Sequence, residues 1–306
     1  MDDDGRAAGT GDGSPAAQGA SNGDGGPAAE AAGAAAGAGV QVRAVSDVPG
    51  LHAVAALFAV IWDTPQVPPM PHDLMRSLAH AGGCVHAAYR GGQLTGASVT
   101  VFGPPASRSC YSLITGVAPG AEGRGTGLAL KLAQREWALA AGATAMTWTF
   151  DPLLRRNARF NLARLGARVT EYLPDFYGEI SDGINDPETD RLAVTWDLRA
   201  PLPAGPLPAG PEPGAGCPAV LSAGPAGEPA AGIPVTGPAT PARACCAVPA
   251  DIMAARRTAP GLARQWRLAV REHLGGAMAS GYQVTGYAEP GWYLLDRSGG
   301  QPGGRR

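Results

Sequence analysis

Between Val117 and Lys131 the chain reads VAPGAEGRGTGLALK, with four glycines (Gly120, Gly123, Gly125 and Gly127) within eight residues. Glycine inside regular structure costs about 0.5–1 kcal/mol, so this density marks a loop that turns tightly or lets a ligand approach its backbone. A strand-like run, SCYSLITGV, precedes the loop, and a helix-like run, LALKLAQREWALAA, follows it. A helix leaving such a loop presents free N–H groups and the positive end of its dipole. Both favour an anion, phosphate or diphosphate above all.

Three phosphate-binding patterns compete for this loop. A nucleotide-hydrolysing GxxxxGK[ST] loop finds its glycines at Gly120 and Gly125, but Thr126 stands where the lysine must be. A dinucleotide-binding GxGxxG needs a third glycine or alanine. Counting from Gly123 that place holds Leu128, and from Gly125 it holds Leu130. What remains is Arg124-Gly125-Thr126-Gly127 leading straight into a helix. Lys131, the only lysine of the chain, and Arg135 share a helix face with Arg124 and Gly127. They either add charge near the anion or form an ordinary solvated face.

Other reactive residues form no pattern. The histidines (52, 72, 80, 86 and 273) and cysteines (84, 110, 217, 245 and 246) lack metal-ligand spacing. Cys84 has no base patterned with it, so free thiols in a reducing cytoplasm are expected, and no metal site. Residues 1–39 carry six acids against one arginine, so the net charge of −2 leaves only +3 for the remainder. That is too little to argue for nucleic acid as a partner. The longest apolar run, LHAVAALFAVIW, has 12 residues, short of the ~18 of a membrane span, and the acidic N-terminus has no secretory core.

The elements that must position the loop are read from periodicity. QVRAV is a strand; Asp47 caps a helix through about Trp62; TPQVPPMP breaks it; HDLMRSLAHAG is a short helix. CVHAAYR and QLTGASVTVF form a hairpin about Arg90-Gly-Gly-Gln93. After the loop and its helix come a strand (TAMTWTF), a helix stopped by Gly166, and two strands, ARVTEYL and RLAVTWDL. The expected fold class is α/β (α+β): a mixed, mostly antiparallel sheet flanked by helices. Residues 40–199 form this unit, after a disordered low-complexity segment 1–39. A Pro/Ala/Gly-rich linker or insertion follows at 200–247, then a helix and hairpin at 248–297 that pack on the sheet, and a disordered tail at 298–306. In that last unit Asp251 can cap a helix whose apolar face is Leu262, Trp266, Val270 (or Ala269), Leu274 and Ala277.

The run Arg124-Gly125-Thr126-Gly127, set between strand and helix, resembles the acyl-CoA loop of the GNAT (GCN5-related N-acetyltransferase) superfamily, [Q/R]xxGx[G/A]. WTFDPLLRRNA, LGA at 165–167, YG at 177–178 and DRLAVTW at 190–196 resemble a poorly characterised bacterial branch of predicted acetyltransferases. The resemblance implies a cytoplasmic acyl-CoA-dependent N-acyltransferase, with acetyl-CoA or another acyl-CoA as co-substrate. Its acceptor would be an amine on a small molecule or peptide. A non-catalytic acyl-CoA-binding or interaction protein on the same fold is the alternative. It implies that the strand ending at Val117 pairs with the pantetheine arm. The amides of Gly123, Arg124, Gly125, Thr126, Gly127 and Leu128 would hold the pyrophosphate, and Asn157 would stand at the mouth of the splayed strands. Two residues depart from the pattern. Glu122 replaces Gln/Arg, and Leu162 replaces the usual general-acid tyrosine. For proton transfer this leaves Tyr177 first, with Tyr172, Asp151 and Glu171 behind it.

Overall fold

A computed structural model describes residues 26–178, 188–205, 217–235 and 240–297. In chain order the first unit runs α1 (Pro27–Gly37), β1 (Gln41–Ala44), α2 (Val48–Ile61), α3 (His72–His80), β2 (Cys84–Arg90), β3 (Gln93–Phe102), β4 (Ser109–Val117) and α4 (Thr126–Ala140). It continues through β5 (Ala145–Phe150), α5 (Arg155–Ala158, widening into a π turn over Arg159–Arg164), β6 (Arg168–Leu173) and β7 (Arg191–Asp197). After β1 the order of helices and strands is the one periodicity leads one to expect. Asp47 accepts from the Gly50 N–H at 2.8 Å and starts α2, and Gly166, at φ +72°, ends the α5 segment.

The sheet has seven strands in the order β1-β2-β3-β4-β5-β7-β6, and every pairing is antiparallel except β4 with β5. One face carries α2 and α3, where Leu51, Val54, Phe58 and Met75 meet Val85, Ala87 and Val99. The other carries α4 and α5, where Leu132 and Ala138 meet Met146, Trp148 and Trp196.

Two expectations of disorder or linker are corrected. Residues 27–37 are helical, not disordered; residues 1–25 lie outside the described residues. The segment PAAEAAGAAAG lacks bulk, but alanine is the best helix former, proline opens the helix at its first position, and Glu30 sits in its first turn. Small side chains let α1 lie closely on α4: Ala31 is buried, and Glu30 makes an ion pair with Arg135.

The tract 200–247 is likewise not all linker. It supplies β8 (Ala219–Ala223), β9 (Pro229–Ala231) and β10 (Arg243–Ala247). Then come α6 (Ile252–Thr258), capped by Asp251, α7 (Pro260–Val270), α8 (Gly276–Ala279) and the hairpin β11 (Gln283–Ala288)–β12 (Trp292–Asp296). The hairpin therefore joins a second, five-stranded sheet, β11-β12-β10-β8-β9. Val220, Leu221 and the run Ala244–Val248 are buried, which the average composition of the tract concealed.

The second sheet shares one core with the first. Trp266, Val270, Leu274 and Tyr293 pack with Leu153, Leu165 and Trp196. Polar ties fix the junction at the end of β5. Arg267 holds Asp151 through two bonds of 3.0 and 2.8 Å, Arg256 adds a third at 2.6 Å, and the Tyr293 hydroxyl donates to the Pro152 carbonyl at 2.8 Å.

Candidate functional site: a glycine loop and a strand fork

The loop between β4 and α4 is open. Glu122, Gly123, Arg124 and Gly125 are exposed, and Gly120, Gly123 and Gly125 all take positive φ (79°, 73° and 85°), the region that favours glycine. A side chain at Gly120 or Gly123 would meet nothing, whereas one at Gly125 would come within 3.1 Å of the Ala38 Cβ behind α1. Gly127 is different: its φ is ordinary and an added Cβ would touch only Val117, at 3.8 Å.

Among the described residues no protein acceptor takes up the backbone N–H of any residue from Glu122 to Leu128. The first amide of the helix to find one is Ala129, which donates to Gly125 at 3.0 Å. No side chain caps α4, and the Thr126 hydroxyl is buried without a partner. Seven consecutive amides at the positive end of a 15-residue helix form a ready anion cradle.

One short turn before the cradle lies an open strand edge. β4 pairs with β5 only at Ser109–Ala145, Cys110–Met146 and Tyr111–Thr147, while on its other side it pairs with β3 as far as Val117–Gly96. Beyond Tyr111 the two parallel strands part, and β4 carries a bulge at Leu113, where the β3 register shifts. The result is a fork with backbone groups of residues 112–117 facing its gap.

Successive residues point to opposite faces of a strand, so the fork's root is lined twice. On the α4 face Lys131 Nζ lies 2.9 Å from Ser112 Oγ and 3.9 Å from the centre of the Trp148 ring. Gln134 Nε2 donates to Ser112 Oγ at 3.1 Å, and Trp148 Nε1 donates to Asn161 Oδ1 at 3.3 Å. On the opposite face the Tyr177 hydroxyl lies 3.5 Å from Thr149 Oγ1, and Tyr111 interacts with both. Arg191 stacks over the Tyr177 ring at 5.0 Å. The end of α2 closes in on this face, since a Cβ at Gly116 would meet Ile61 and Trp62 at 2.8 Å.

The solvated-face reading of Lys131 and Arg135 is overturned: both are buried, at 3% and 4% exposure. Arg135 is fully engaged, by Glu30 and by the carbonyls of Leu198 (2.7 Å) and Ala200 (3.0 Å). Lys131 has no carboxylate within ion-pair distance among the described residues, and burial lowers its ammonium pKa to about 7. The surroundings of Lys131 were not legible, because Ser112 and Trp148 reach it from strands on either side of α4. One signal was present: Lys131 lies seven residues before Ala138 and three after Leu128, on the apolar side of its helix.

Of the expected proton-transfer residues, Tyr177 is 47% exposed and stands at the fork. Asn157, half-buried on α5, makes no side-chain hydrogen bond among the described residues, and none joins it to the loop. Asp151 and Tyr172 are structural. Burial raises the Asp151 pKa, but Arg267 and Arg256 outweigh it and hold the group down at about 2. Tyr172 donates to Asp190 at 2.7 Å, and burial and that carboxylate push its pKa well up. Leu162, in the usual tyrosine position, is buried. Glu122 is exposed beside the cradle and makes no ion pair among the described residues. Cys84 and His86 lie 3.6 Å apart, yet burial raises the thiol to about 11 and lowers the imidazole to about 4, so both stay neutral. No three metal-ligating side chains gather among the described residues, and none of their helices is long and apolar enough to cross a membrane.

No family model and no curated protein matches the chain. Solved structures similar to it include acetyltransferases. One is an N-acetyltransferase from Staphylococcus aureus Mu50 (15% identity, 52% of this chain and 99% of that one, TM-score 0.44). Another is the ribosomal-protein-S18-alanine N-acetyltransferase from Escherichia coli (11%, 53% and 96%, 0.43). A third is a Bacillus subtilis acetyltransferase in complex with CoA (17%, 52% and 98%, 0.39).

Proposed function

We propose that the chain is an acyl-CoA-dependent N-acyltransferase, of acetyl groups first of all, acting on an amine of a small molecule or peptide. One observation supports this above the rest: a run of unclaimed amides, Glu122 to Leu128, lies one short turn beyond a strand edge, 112–117, that is open on its β5 side. A diphosphate suits the first and an extended amide-bearing arm suits the second, and acyl-CoA combines both chemistries. In this reading Val117 and its strand pair with the arm. Gly123, Arg124, Gly125, Thr126, Gly127 and Leu128 hold the diphosphate, with Arg124 adding charge. A bound thioester supplies an activated acyl carbon.

The chain's own residues would do the rest. Outward N–H groups of β4 at the bulge stabilise negative charge on the acyl oxygen. The acceptor amine enters on the α2 face, where the Tyr177 hydroxyl can accept or return a proton beside Thr149 and Tyr111. Asn157 is the weaker candidate at the α5 end. A cytoplasmic setting, where thiols stay reduced, fits the five free cysteines.

The second reading, an acyl-CoA-binding protein without turnover, is favoured by Leu162, which has no proton to give. Calorimetric titration with CoA and acetyl-CoA, followed by thiol release across a set of amines, separates the two. Binding with turnover supports the enzyme and binding alone the second reading. If neither ligand binds, or if Gly125→Val does not weaken CoA by about tenfold or more, both readings are overturned.

A further inference from the structure

Among the described residues of the first unit, Lys131 is the one buried charge-bearing side chain whose presence packing does not explain. A leucine or methionine would fill the same space, and apolar replacements of buried charges are often neutral or stabilising. Each of the other buried charges is answered. Arg135 has Glu30 and two carbonyls, Asp151 has Arg267 and Arg256, and Asp190 has Arg271 and Tyr172. Lys131 has a serine hydroxyl and an indole face. Its titratable and charged neighbours are few. Cys110 faces it from β4, with its thiol raised to about 11 chiefly by burial, and Arg135 follows it on α4 with its guanidinium turned toward Glu30. From β5 comes Trp148, and from the α5 segment Asn161 holds that indole in place.

The position is as telling as the burial. Ser112 and Trp148 are the first residues beyond the last paired positions of β4 and β5, Tyr111 and Thr147. Lys131 Nζ therefore sits at the root of the fork. The open edge from Val117 down to Ser112 is six residues, or about 20 Å of strand, and it leads from the amide cradle to this amine. A molecule anchored by a diphosphate at one end and extended along that edge brings its far end to Lys131.

We propose that Lys131 is the proton donor to the departing sulfur, filling the role that Leu162 cannot. This rests on the acyl-CoA reading above. The acceptor nitrogen forms the new C–N bond as the C–S bond breaks, and the sulfur takes its proton from the Nζ ammonium. The acceptor nitrogen gives up its proton on the α2 face, to solvent by way of the Tyr177 hydroxyl, and the neutral Nζ takes a proton from solvent once the thiol leaves, so the lysine ends unchanged and the products are an amide and a free thiol. Gln134 and Ser112 position the amine, and the indole face keeps the ammonium tolerable between turnovers. A group that titrates near neutrality is the most effective kind for such a transfer.

The single lysine makes the test direct. Full-length protein labelled with 13Cε-lysine gives one resonance. Its pH titration should show a midpoint near 7, and saturating CoA should move it. Lys131→Met and Lys131→Arg should bind CoA within about twofold of wild type but release thiol from acetyl-CoA about 100-fold or more slowly, whether an amine or water is the acceptor. The wild-type rate should change through an inflection near neutral pH that Lys131→Arg lacks; a merely structural lysine would lower the melting temperature and leave the inflection in place. If CoA binds and the resonance stays still, or Lys131→Arg keeps its rate and inflection, the proton-donor role fails while the acyl-CoA reading stands. A stable 42 Da adduct on Lys131 would make it an acceptor and also end the proposal. If CoA does not bind at all, or thiol release never exceeds that of buffer, the acyl-CoA enzyme reading falls and this inference with it.

Discussion

Replacing Lys131 by methionine should abolish a specific pH dependence of stability. The ammonium has an ordinary pKa of 10.5, and burial lowers it to about 7 in the folded chain. Between those values the unfolded chain holds a proton that the folded chain does not, so stability rises with pH. At 1.36 kcal/mol per unit the full window is worth about 5 kcal/mol, and the step from about pH 7 to about pH 8.5 is worth about 2 kcal/mol. The upper bound keeps clear of Cys84 and Cys110. Burial raises these thiols from 9.0 to about 11, so they stay protonated in the folded chain and reverse the slope at higher pH. The lower bound keeps clear of His86, lowered from 6.5 to about 4. Urea unfolding followed by tryptophan fluorescence should show the wild-type midpoint rising by roughly 0.7–1 M across the window. Lys131→Met, which keeps the apolar stem, should show no such rise and should be the more stable protein at pH 7. Equal slopes in both proteins, or a flat wild type, would refute the assignment of Lys131 as a buried, carboxylate-free amine.

Gly127→Ala should raise stability by up to about 1 kcal/mol in urea titrations, since its φ is ordinary and Cβ has room, yet weaken CoA in calorimetry if the adjacent amides hold a ligand. Arg267→Met removes the bidentate partner of Asp151 and should cost about 3–5 kcal/mol, a melting temperature lower by roughly 6–20 °C in a thermal scan. Asp151 itself is held at about 2 from 3.8, so its contribution is full above pH 4 and is lost as pH falls toward 2; Asp151→Asn should flatten that acid limb. Deleting residues 1–39 strips α1 from α4, exposes Ala31's contact surface and frees Arg135, and should lower the melting temperature rather than leave it unchanged, as loss of a disordered tail would.

The parts of the fold that could be read were those fixed by local chemistry. Proline and glycine mark the ends of β4 and of the α5 segment, Asp47 and Asp251 cap their helices, and the order of strands follows from alternation. The parts that could not be read depend on what lies opposite. Alanines 28–36 look too small to make a core, but small side chains are what let α1 lie against α4. Val220, Leu221 and the run from Ala244 gain their meaning only when β12 and β8 flank β10, and their Pro- and Gly-rich surroundings hid them. At the site the cradle was visible in RGTG, because turn and helix start are neighbours in sequence. The fork entered only through the resemblance, because it is the end of a pairing between strands some 35 residues apart, Ser109 with Ala145. The charge of Lys131 left it between the anion site and a solvated face, although its position in the helix stripe pointed inward.

The central claim is that the amides from Glu122 to Leu128 embrace a diphosphate. An amide-resolved 15N NMR titration of the full chain with CoA tests it most directly. The expected result is that the largest shifts fall on Gly123, Arg124, Gly125, Thr126, Gly127 and Leu128, followed by the β4 edge from Val117 toward Ser112. Saturable CoA binding that moves other amides and leaves these six unshifted would contradict it.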